Sequence, residues 1–271
     1  MNAASYPLIL EPREFSLPAA EGVLVVDLCK PETYAEAHLP GAVHLDYAAL
    51  TLSRPPVGGL LPGDTELSRV LSAIGLTPDK HVVAYDDEGG GKASRLLWTL
   101  DVLGHSRISL LDGGYRAWTE AALPLEREPV IAAVSEYRAI SGEDARADRD
   151  YILGRLGSPD FALVDARTPE EYSGKNRRAE RGGHIPGAVN FNWVNAMDPE
   201  REMRLKPRDE LAENFAALGV TQDKEVVAYC HTHHRSSHTY IVLKSLGIER
   251  LRGYPGSWSD WGNDPSSPIE V

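Results

Sequence analysis

The stretch LGVTQDKEVVAYC, residues 218–230, joins a Gly-containing turn to a short apolar run that ends at a cysteine. A close counterpart, IGLTPDKHVVAYD, stands 144 residues earlier at 74–86 and ends at an aspartate instead. The short, β-branched runs HVVAY and EVVAY are typical of buried strands in a parallel sheet. Each run lies between helical patterns that begin near Asp or Thr and end at Gly. This alternation of strands and helices predicts α/β domains with parallel sheets.

Three further blocks recur in the same order. VVDLCKPETY (25–34) matches LVDARTPEEY (163–172), and HLPGAV (38–43) matches HIPGAV (184–189). With an offset of 140, Gly113 and Trp118 of DGGYRAW fall opposite Gly253 and Trp258 of RGYPGSW. Four matching blocks predict a duplicated domain. The second copy gains about eight residues in SGKNRRAERGG (173–183), as the change of offset indicates.

The domain boundary is predicted from a change in pattern. The stretch 125–150 is charged and has no long apolar period, as a connection between domains would. We therefore predict a first domain at 1–124, a linker at 125–140 and a second domain at 141–271. Because each half is more than a hundred residues long, each can bury its own core.

The composition excludes several classes of protein. A net charge of -12 argues against non-specific binding to nucleic acid or to an anionic membrane surface. The chain has no apolar run of the roughly 20 residues that a helical membrane span needs, and its start does not resemble a signal peptide. Two cysteines in 271 residues are not a disulfide scaffold. We expect a cytoplasmic protein that acts as a monomer.

Cys230 occupies a position suited to chemistry. It closes the strand EVVAY, and a helix is predicted to begin near Ser236 or Ser237. Ligands of open α/β sheets bind at the carboxyl ends of the strands. Loop amides and the positive end of a helix form an anion cradle there, which favours a thiolate, and Arg235 adds a fixed positive charge. Cys230 is therefore a candidate nucleophile, with a buried structural cysteine as the alternative.

The residues around Cys230 leave three chemistries open. A phosphatase loop of the Cys-x5-Arg kind needs Arg six positions after Cys, whereas Arg235 is five positions after it. The tighter loop favours a smaller charged group on sulfur, such as a persulfide. Zinc is the second possibility, because the segment is rich in residues of ligand type: Cys230, His231, His233, His234 and His238. The chain has no second Cys/His cluster, however, so we predict no metal. Nucleotide binding is not predicted, because the GGGK at 89–92 lacks the leading Gly-x4 of a phosphate-binding loop.

Sulfur transfer is the third possibility, and a family resemblance supports it. Four segments resemble the signature segments of the rhodanese family, in particular its tandem-domain thiosulfate and 3-mercaptopyruvate sulfurtransferases: YAEAHLPGA (34–42), LLDGGYRAW (110–118), GGHIPGAVN (182–190) and YPGSWSDW (254–261). The resemblance implies two tandem rhodanese-like domains, each a five-stranded parallel sheet flanked by helices. It also implies that Cys230 carries a persulfide, with no cofactor besides that covalent sulfur. The implied binding loop comprises His231, Thr232, His233, His234, Arg235 and Ser236.

The first copy differs at the position that matters. Asp86 stands opposite Cys230, and a carboxylate cannot carry a persulfide, so the first domain is expected to be catalytically silent. Cys29 stands opposite Arg167 after a different strand, and we interpret it as a bystander.

The substrate is less well defined. The loop resembles neither the basic loop of thiosulfate-type members nor the Gly-Ser-Gly loop of mercaptopyruvate-type members. It is most similar to a bacterial subset with Thr-His-His-Arg-Ser, in which Gln stands at the position of His231. The insertion contributes four cations before His184, and family members use an Arg from this region on the substrate anion: Lys175, Arg177, Arg178 and Arg181. Arg178 is our candidate, and a solvated charged loop is the alternative.

The resemblance thus implies an enzyme that moves sulfane sulfur from thiosulfate, or a related small anionic donor, to cyanide, a thiol or a protein acceptor. One alternative is a carrier that delivers the Cys230 persulfide to a partner protein. A weaker alternative is a small-anion phosphatase or arsenate reductase. Trp193 and Trp258 are candidates to wall the pocket, although large aromatic side chains more often pack in a core.

Overall fold

The computed structural model describes residues 6–271, which form two compact units. The first unit comprises the chain up to Leu50 together with Pro62–Gly142 and Asp198–Leu205. The second comprises Thr51–Leu61, Glu143–Met197 and Lys206–Val271. Each unit therefore includes a short segment from the other half of the sequence, which the repeat pattern did not predict.

The first unit contains a parallel five-stranded sheet flanked by helices, as the resemblance implied. Its strand order is β1-β7-β6-β2-β3. The strands are β1 (Ile9–Leu10), β2 (Val23–Asp27), β3 (Val43–His44), β6 (His81–Tyr85) and β7 (Ile108–Leu111). The helices are α1 (Pro31–Glu36), α2 (Asp64–Ala73), α3 (Gly91–Val102) and α4 (Gly114–Glu120). All five residues of β6 are buried, as expected for its central place and apolar sequence.

The second unit repeats this arrangement with one strand fewer. Its order is β13-β12-β8-β9, with strands β8 (Phe161–Asp165), β9 (Val189–Asn190), β12 (Glu225–Tyr229) and β13 (Leu251–Gly253). The helices are α5 (Arg149–Arg155), α6 (Pro169–Tyr172), α7 (Arg208–Ala217), α8 (Arg235–Ser245) and α9 (Ser257–Trp261).

The expectation of five strands is wrong for this unit. The fifth position is reduced to one parallel bridge between Arg146 and Gly253. Two residues after Arg146, the Asp148 side chain accepts a hydrogen bond from the Tyr151 N–H and caps α5. The chain thus turns into a helix before a ladder can extend.

Two short two-stranded sheets are formed by the segments that each half of the sequence contributes to the other unit. Strands β4 (Leu52–Arg54) and β5 (Val57–Leu60) pair antiparallel within a segment that belongs to the second unit. Strands β10 (Met197–Asp198) and β11 (Arg204–Leu205) form the other pair, and most of it belongs to the first unit. The hairpin β4–β5 is therefore a part of the second unit that the first sequence repeat encodes.

The repeated HxPGAV blocks form the same local structure in both units. The His38 ring stacks on Tyr34 with centroids 3.9 Å apart, and its Nδ1 is 2.8 Å from the Tyr34 carbonyl oxygen. The His184 ring stacks on Tyr172 at 3.7 Å, with Nδ1 3.0 Å from the Tyr172 carbonyl oxygen. These two histidines are features of the fold, as their repetition predicted.

The register of the last repeated block needs correction. In the parallel pairing, Ala84 is opposite Leu110 in the first unit, and Ala228 is opposite Gly253 in the second. The offset in this block is therefore 143 rather than 140, so Trp118 corresponds to Trp261. The indole N–H groups confirm this, since Trp118 donates to Pro124 O and Trp261 donates to Pro268 O. The recurrence of Gly and Trp at two spacings made the sequence ambiguous.

Among residues 6–271, none of the helices combines the length and the apolar character that crossing a membrane requires.

Candidate active site

Cys230 lies directly after the carboxyl end of β12, an inner strand of the second sheet. It is 1% exposed. Its backbone is held at both ends by the start of α9. The Cys230 N–H donates to Ser257 Oγ at 3.2 Å, and the Trp258 N–H donates to the Cys230 carbonyl at 3.0 Å. Ser257 has a φ of 51°, a left-handed conformation that is uncommon outside glycine. The position predicted for the nucleophile is thus tightly fixed.

The sulfur of Cys230 sits in a cradle of donors. It is hydrogen-bonded by the side chain and backbone N–H of Ser236 and by the backbone N–H of Thr232. Burial alone raises the pKa of the Cys230 thiol, but the positive charge of Arg235 and these hydrogen bonds outweigh it, so the pKa is lower than the ordinary value. The geometry favours a thiolate at this site.

Arg235 is the first residue of α8 and forms an ion pair with a buried carboxylate. Its guanidinium donates two hydrogen bonds to Glu171, at 2.6 and 2.9 Å, and Glu171 is 2% exposed. Glu171 also completes a capping box with Thr168 at the start of α6. Burial raises the pKa of Glu171, yet the hydrogen bonds and charge of Arg235 bring it below its usual value. Arg235 therefore acts on Cys230 through its charge, while Glu171 fixes its position.

Two loop histidines differ in their burial and in their neighbours. His233 is fully buried, with a φ of 54°, and its Nδ1 is 2.7 Å from Ser236 Oγ, the hydroxyl that bonds the sulfur. His231 is half-buried, and burial followed by the charge of Arg178 lowers its pKa to about 4. His231 is therefore neutral at pH 7 and offers a polar wall rather than a charge.

The other two histidines lie at and within the helix. His234 immediately precedes α8, and the Trp193 ring meets it edge-on with centroids 5.7 Å apart. His238 is fully buried inside α8, 5.5 Å from Trp193, and burial lowers its pKa to about 4. No group of three or more His, Cys, Asp or Glu residues able to hold a metal ion occurs in the described part of the chain.

The cations of the insertion take different roles. Arg181 donates to the carbonyls of Trp261 and Ser267, and so anchors the chain near its end. Arg177 donates to the Ala179 carbonyl at 3.0 Å. Lys175 is exposed. Within the described residues, Arg178 is the member of this set that lies beside Glu171 and His231.

The guanidinium of Arg178 is 3.8 Å from a carboxylate oxygen of Glu171, and its charge lowers the pKa of His231. Its side chain is 54% exposed, which leaves it free to approach a small anion. Trp193 lies at the edge of the loop, as described, but Trp258 belongs to the buried core of the second unit and is not a pocket wall.

Comparison with known proteins identifies the family. The model of the rhodanese-like domain matches residues 12–121 and again 148–264. The chain belongs to the rhodanese family. It is 45% identical to a thiosulfate sulfurtransferase of Azotobacter vinelandii over 99% of this chain and 98% of that protein. It is 44% identical to a thiosulfate sulfurtransferase of Pseudomonas aeruginosa over 98% and 97% of the two chains.

The chain also resembles a further curated relative and a solved structure. A Thermus thermophilus protein named sulfur carrier protein TtuD is 34% identical over 87% of this chain and 86% of its own. The crystal structure of YnjE superposes with a TM-score of 0.84 at 23% identity, covering 93% of this chain and 63% of that one. At that identity the likeness concerns the rhodanese fold alone.

The first rhodanese-like domain retains the cradle but fills it with its own side chain. Asp86 is fully buried after β6, and its carboxylate accepts hydrogen bonds from the backbone of Glu88, Gly90 and Ala93 at 3.0, 2.8 and 2.9 Å. Burial, followed by the charge of Glu88, raises the pKa of Asp86. Glu88 corresponds to Thr232 of the second loop, so the two rhodanese loops offer a backbone donor at the same position.

The second cysteine is placed differently. Cys29 is buried, and burial together with the charge of Asp27 raises the pKa of its thiol. Such a thiol is a poor nucleophile. Its counterpart Arg167 is also buried and forms an ion pair with Asp165 at 2.5 Å.

Glu171 and Ser257 were not predicted as site residues from the sequence. The spacing Thr168-x-x-Glu171 is a recognisable helix-capping signal, but nothing in it indicates the partner 64 residues away. Ser257 stands where the first repeat has Gly114, and a register of 143 would have revealed a serine in a position of positive φ. Both residues reach the site only through the tertiary fold.

Proposed function

We propose that this protein is a sulfurtransferase that takes the outer sulfur of thiosulfate, or of a related small anionic donor, onto Cys230 and passes it to a thiol or cyanide acceptor. The observation that carries the proposal is the Cys230 thiol itself. It is buried among donors from Ser236 and Thr232, and its pKa is lowered despite that burial. The relatives named thiosulfate sulfurtransferase, over nearly the full chain, support the same reaction.

The reaction has two balanced steps. The Cys230 thiolate attacks the outer sulfur of thiosulfate, so a new sulfur–sulfur bond forms while the bond to the sulfonate sulfur breaks and sulfite leaves with the electron pair. An acceptor nucleophile then attacks the outer sulfur of the persulfide, and the Cys230 thiolate is released. No oxidant or metal is required, and the covalent intermediate predicts ping-pong kinetics.

The surrounding residues stabilise negative charge in both steps. The donors of Thr232 and Ser236 hold the thiolate and, after transfer, the persulfide anion. Arg235 adds a positive field from the start of α8. Since Arg235 is already paired with Glu171, we assign the sulfonate group of the donor to the exposed cation Arg178. His231, His233 and His234 complete the binding loop, with His233 buried against Ser236.

The two domains have different roles in the proposed reaction. The first domain, 1–124, is catalytically silent because Asp86 fills its cradle. The linker at 125–140, which belongs to the first compact unit, leads to the catalytic domain at 141–271. Both cysteines are free thiols, which fits a reducing compartment such as the cytoplasm. We propose a monomer, and size-exclusion chromatography with light scattering tests that assignment.

A persulfide carrier is the second candidate, favoured by the 34% identical relative named as a sulfur carrier protein. In that case the same Cys230 persulfide forms, but a protein acceptor removes the sulfur rather than cyanide or a small thiol. A phosphatase or arsenate reductase is disfavoured, because Arg235 follows Cys230 one position too early for a Cys-x5-Arg loop.

Intact mass spectrometry tests the proposal. The protein is incubated with thiosulfate and its mass is compared with that of Cys230→Ala and Cys29→Ala treated in the same way. We expect the protein and Cys29→Ala to gain one sulfur atom and Cys230→Ala to gain none. Failure of the unaltered protein to gain sulfur would reject the proposal. Thiocyanate formation with cyanide then separates the enzyme from the carrier, and phosphate release from an aryl phosphate would favour the phosphatase.

A further inference from the structure

The hairpin β4–β5 packs its two glycines against the loop that holds the Cys230 sulfur. Gly58 and Gly59 lie in β5, and both approach Thr232. A Cβ added at Gly58 would be 3.3 Å from Thr232 Cγ2, which is tighter than ordinary van der Waals contact but involves only a side-chain methyl. The contact at Gly59 is much tighter, and it involves the backbone of the loop.

Gly59 has no room for any side chain. A Cβ at this position would be 2.1 Å from the Thr232 carbonyl oxygen and 2.6 Å from its carbonyl carbon. Gly59 also has a φ of 69°, which itself disfavours other residues. The hairpin backbone therefore lies in close contact with the peptide that follows Thr232 and limits how that peptide can turn.

A second contact fixes the preceding peptide. The Gly58 N–H donates to Ser259 Oγ at 3.0 Å, and the Ser259 N–H donates to the His231 carbonyl at 3.0 Å. The His231 carbonyl and the Thr232 N–H belong to one peptide, and in a planar trans peptide these two groups point in opposite directions. Holding the carbonyl on Ser259 thus aims the Thr232 N–H away from it, toward the Cys230 sulfur.

We propose that the β4–β5 hairpin is a positioning element for the sulfur cradle, and that Gly59 is its central residue. The hairpin fixes the two peptides on either side of Thr232 and so keeps the Thr232 N–H on the Cys230 sulfur, where it stabilises the thiolate and the persulfide. The persulfide part of this inference depends on the proposed function, whereas the thiolate part does not.

The silent first repeat thereby has a role in the reaction. The hairpin is encoded between α1 and α2, within the first repeat, yet belongs to the second unit. The catalytic loop encoded by the second repeat is then incomplete without sequence from the first. A duplicated chain whose first copy carries no reactive cysteine can retain that copy for this reason.

The variant Gly59→Ala tests the inference, with Gly157→Ala as its matched control. Gly157 also lies in the second unit and has a φ of 78°, but a Cβ there meets no atom within 4 Å. Both variants carry the backbone strain of a positive φ, and only Gly59→Ala displaces Thr232. The readout is the pH dependence of Cys230 alkylation by iodoacetamide, which needs no sulfur donor and therefore reports on the cradle even if the protein transfers no sulfur.

For Gly59→Ala we expect the alkylation midpoint to move to higher pH and thiosulfate turnover to fall roughly ten- to hundredfold, as for the loss of one hydrogen bond to a charged group. Gly157→Ala should keep the alkylation profile and kcat of the unaltered protein. If Gly59→Ala does not fold, Ser259→Ala removes the link between Gly58 and the His231 peptide without a clash. It should raise the midpoint by a smaller amount. Unchanged alkylation profiles in every folded variant would overturn the inference.

Discussion

At the scale of single residues, the lowered pKa of Cys230 is the result of opposing effects. Full burial disfavours its thiolate, while the charge of Arg235 and the donors of Ser236 and Thr232 favour it and prevail. Cys29 is also buried, but it lacks these donors and lies beside the charge of Asp27, so its pKa is raised. The two cysteines of this chain therefore differ because of their surroundings.

Arg235 and Glu171 affect both the stability of the fold and the pKa of Cys230, and substitutions of the two residues distinguish these effects. In Arg235→Gln, the carboxylate of Glu171 stays buried without its main partner, and we expect a loss of about 3 kcal/mol in the free energy of unfolding. The double variant Arg235→Gln/Glu171→Gln should recover much of that loss. Both should raise the pKa of Cys230, since both lack the positive charge. Urea unfolding and the pH dependence of alkylation measure the two effects, and a double variant with normal alkylation would contradict this account.

The low pKa of His231 makes a prediction about pH. With a pKa of about 4, this imidazole is neutral through the range in which an ordinary histidine titrates, near pH 6.5. It gains a positive charge only as the pH falls toward 4, so it cannot attract the donor anion electrostatically at neutral pH. The ratio of thiosulfate KM values for His231→Gln and the unaltered protein should therefore stay constant between about pH 5.5 and 8. A ratio that rises as the pH falls through about 6.5 would show that His231 is charged.

At the scale of elements, α8 combines the positive start that serves the cradle with a buried imidazole in its interior. Neither ring nitrogen of His238 has a hydrogen-bond partner within residues 6–271. In the unfolded chain this group binds a proton near pH 6.5, whereas burial lowers the pKa in the folded state to about 4. The unfolded state therefore binds more protons between these values, and stability must fall as the pH decreases through that window.

His238→Leu removes this source of acid sensitivity. We expect the variant to be as stable as the unaltered protein or slightly more stable at pH 7.5, because an unpaired polar group is replaced by an apolar one. Near pH 4 the advantage should grow by about 3 kcal/mol, the free energy of a shift of roughly 2.5 pKa units. Urea unfolding at the two pH values measures the difference. Equal losses of stability with acid in both proteins would rule out His238 as the cause.

The elements that the sequence predicted best are those with short, continuous, β-branched apolar runs. EVVAY and HVVAY form β12 and β6, and the position of Cys230 after β12 followed directly. The fifth strand of the second unit was not foreseeable in the same way, because whether Arg146 starts a strand or only a bridge depends on how soon Asp148 caps the next helix. The sequence alone did not indicate that the β4–β5 hairpin belongs to the second unit. The segment VGGL resembles a turn, and only the structure shows its contact with Thr232.

At the scale of the whole molecule, duplication has produced two versions of one anion cradle. Both loops follow a central strand and lead into a helix, α3 or α8. In the first, the Asp86 carboxylate accepts three backbone N–H groups, and in the second the Cys230 sulfur takes the equivalent place. In both copies the backbone N–H groups of the loop favour a negative charge on the side chain at its first position. The identity of that side chain and the cations around it determine whether the charge can react.

The variant Asp86→Cys tests which of these factors is decisive. A thiol at this position would have the same type of backbone donors as Cys230, but Gly91 stands at the helix start where the second copy has Arg235. The charge of Glu88, which already raises the pKa of Asp86, would also disfavour a thiolate. We therefore expect Asp86→Cys/Cys230→Ala to gain no sulfur from thiosulfate by intact mass, while Asp86→Cys alone keeps the sulfur adduct at Cys230. A sulfur adduct on the double variant would show that the backbone cradle is sufficient, and that the cation at the helix start is dispensable for forming a persulfide.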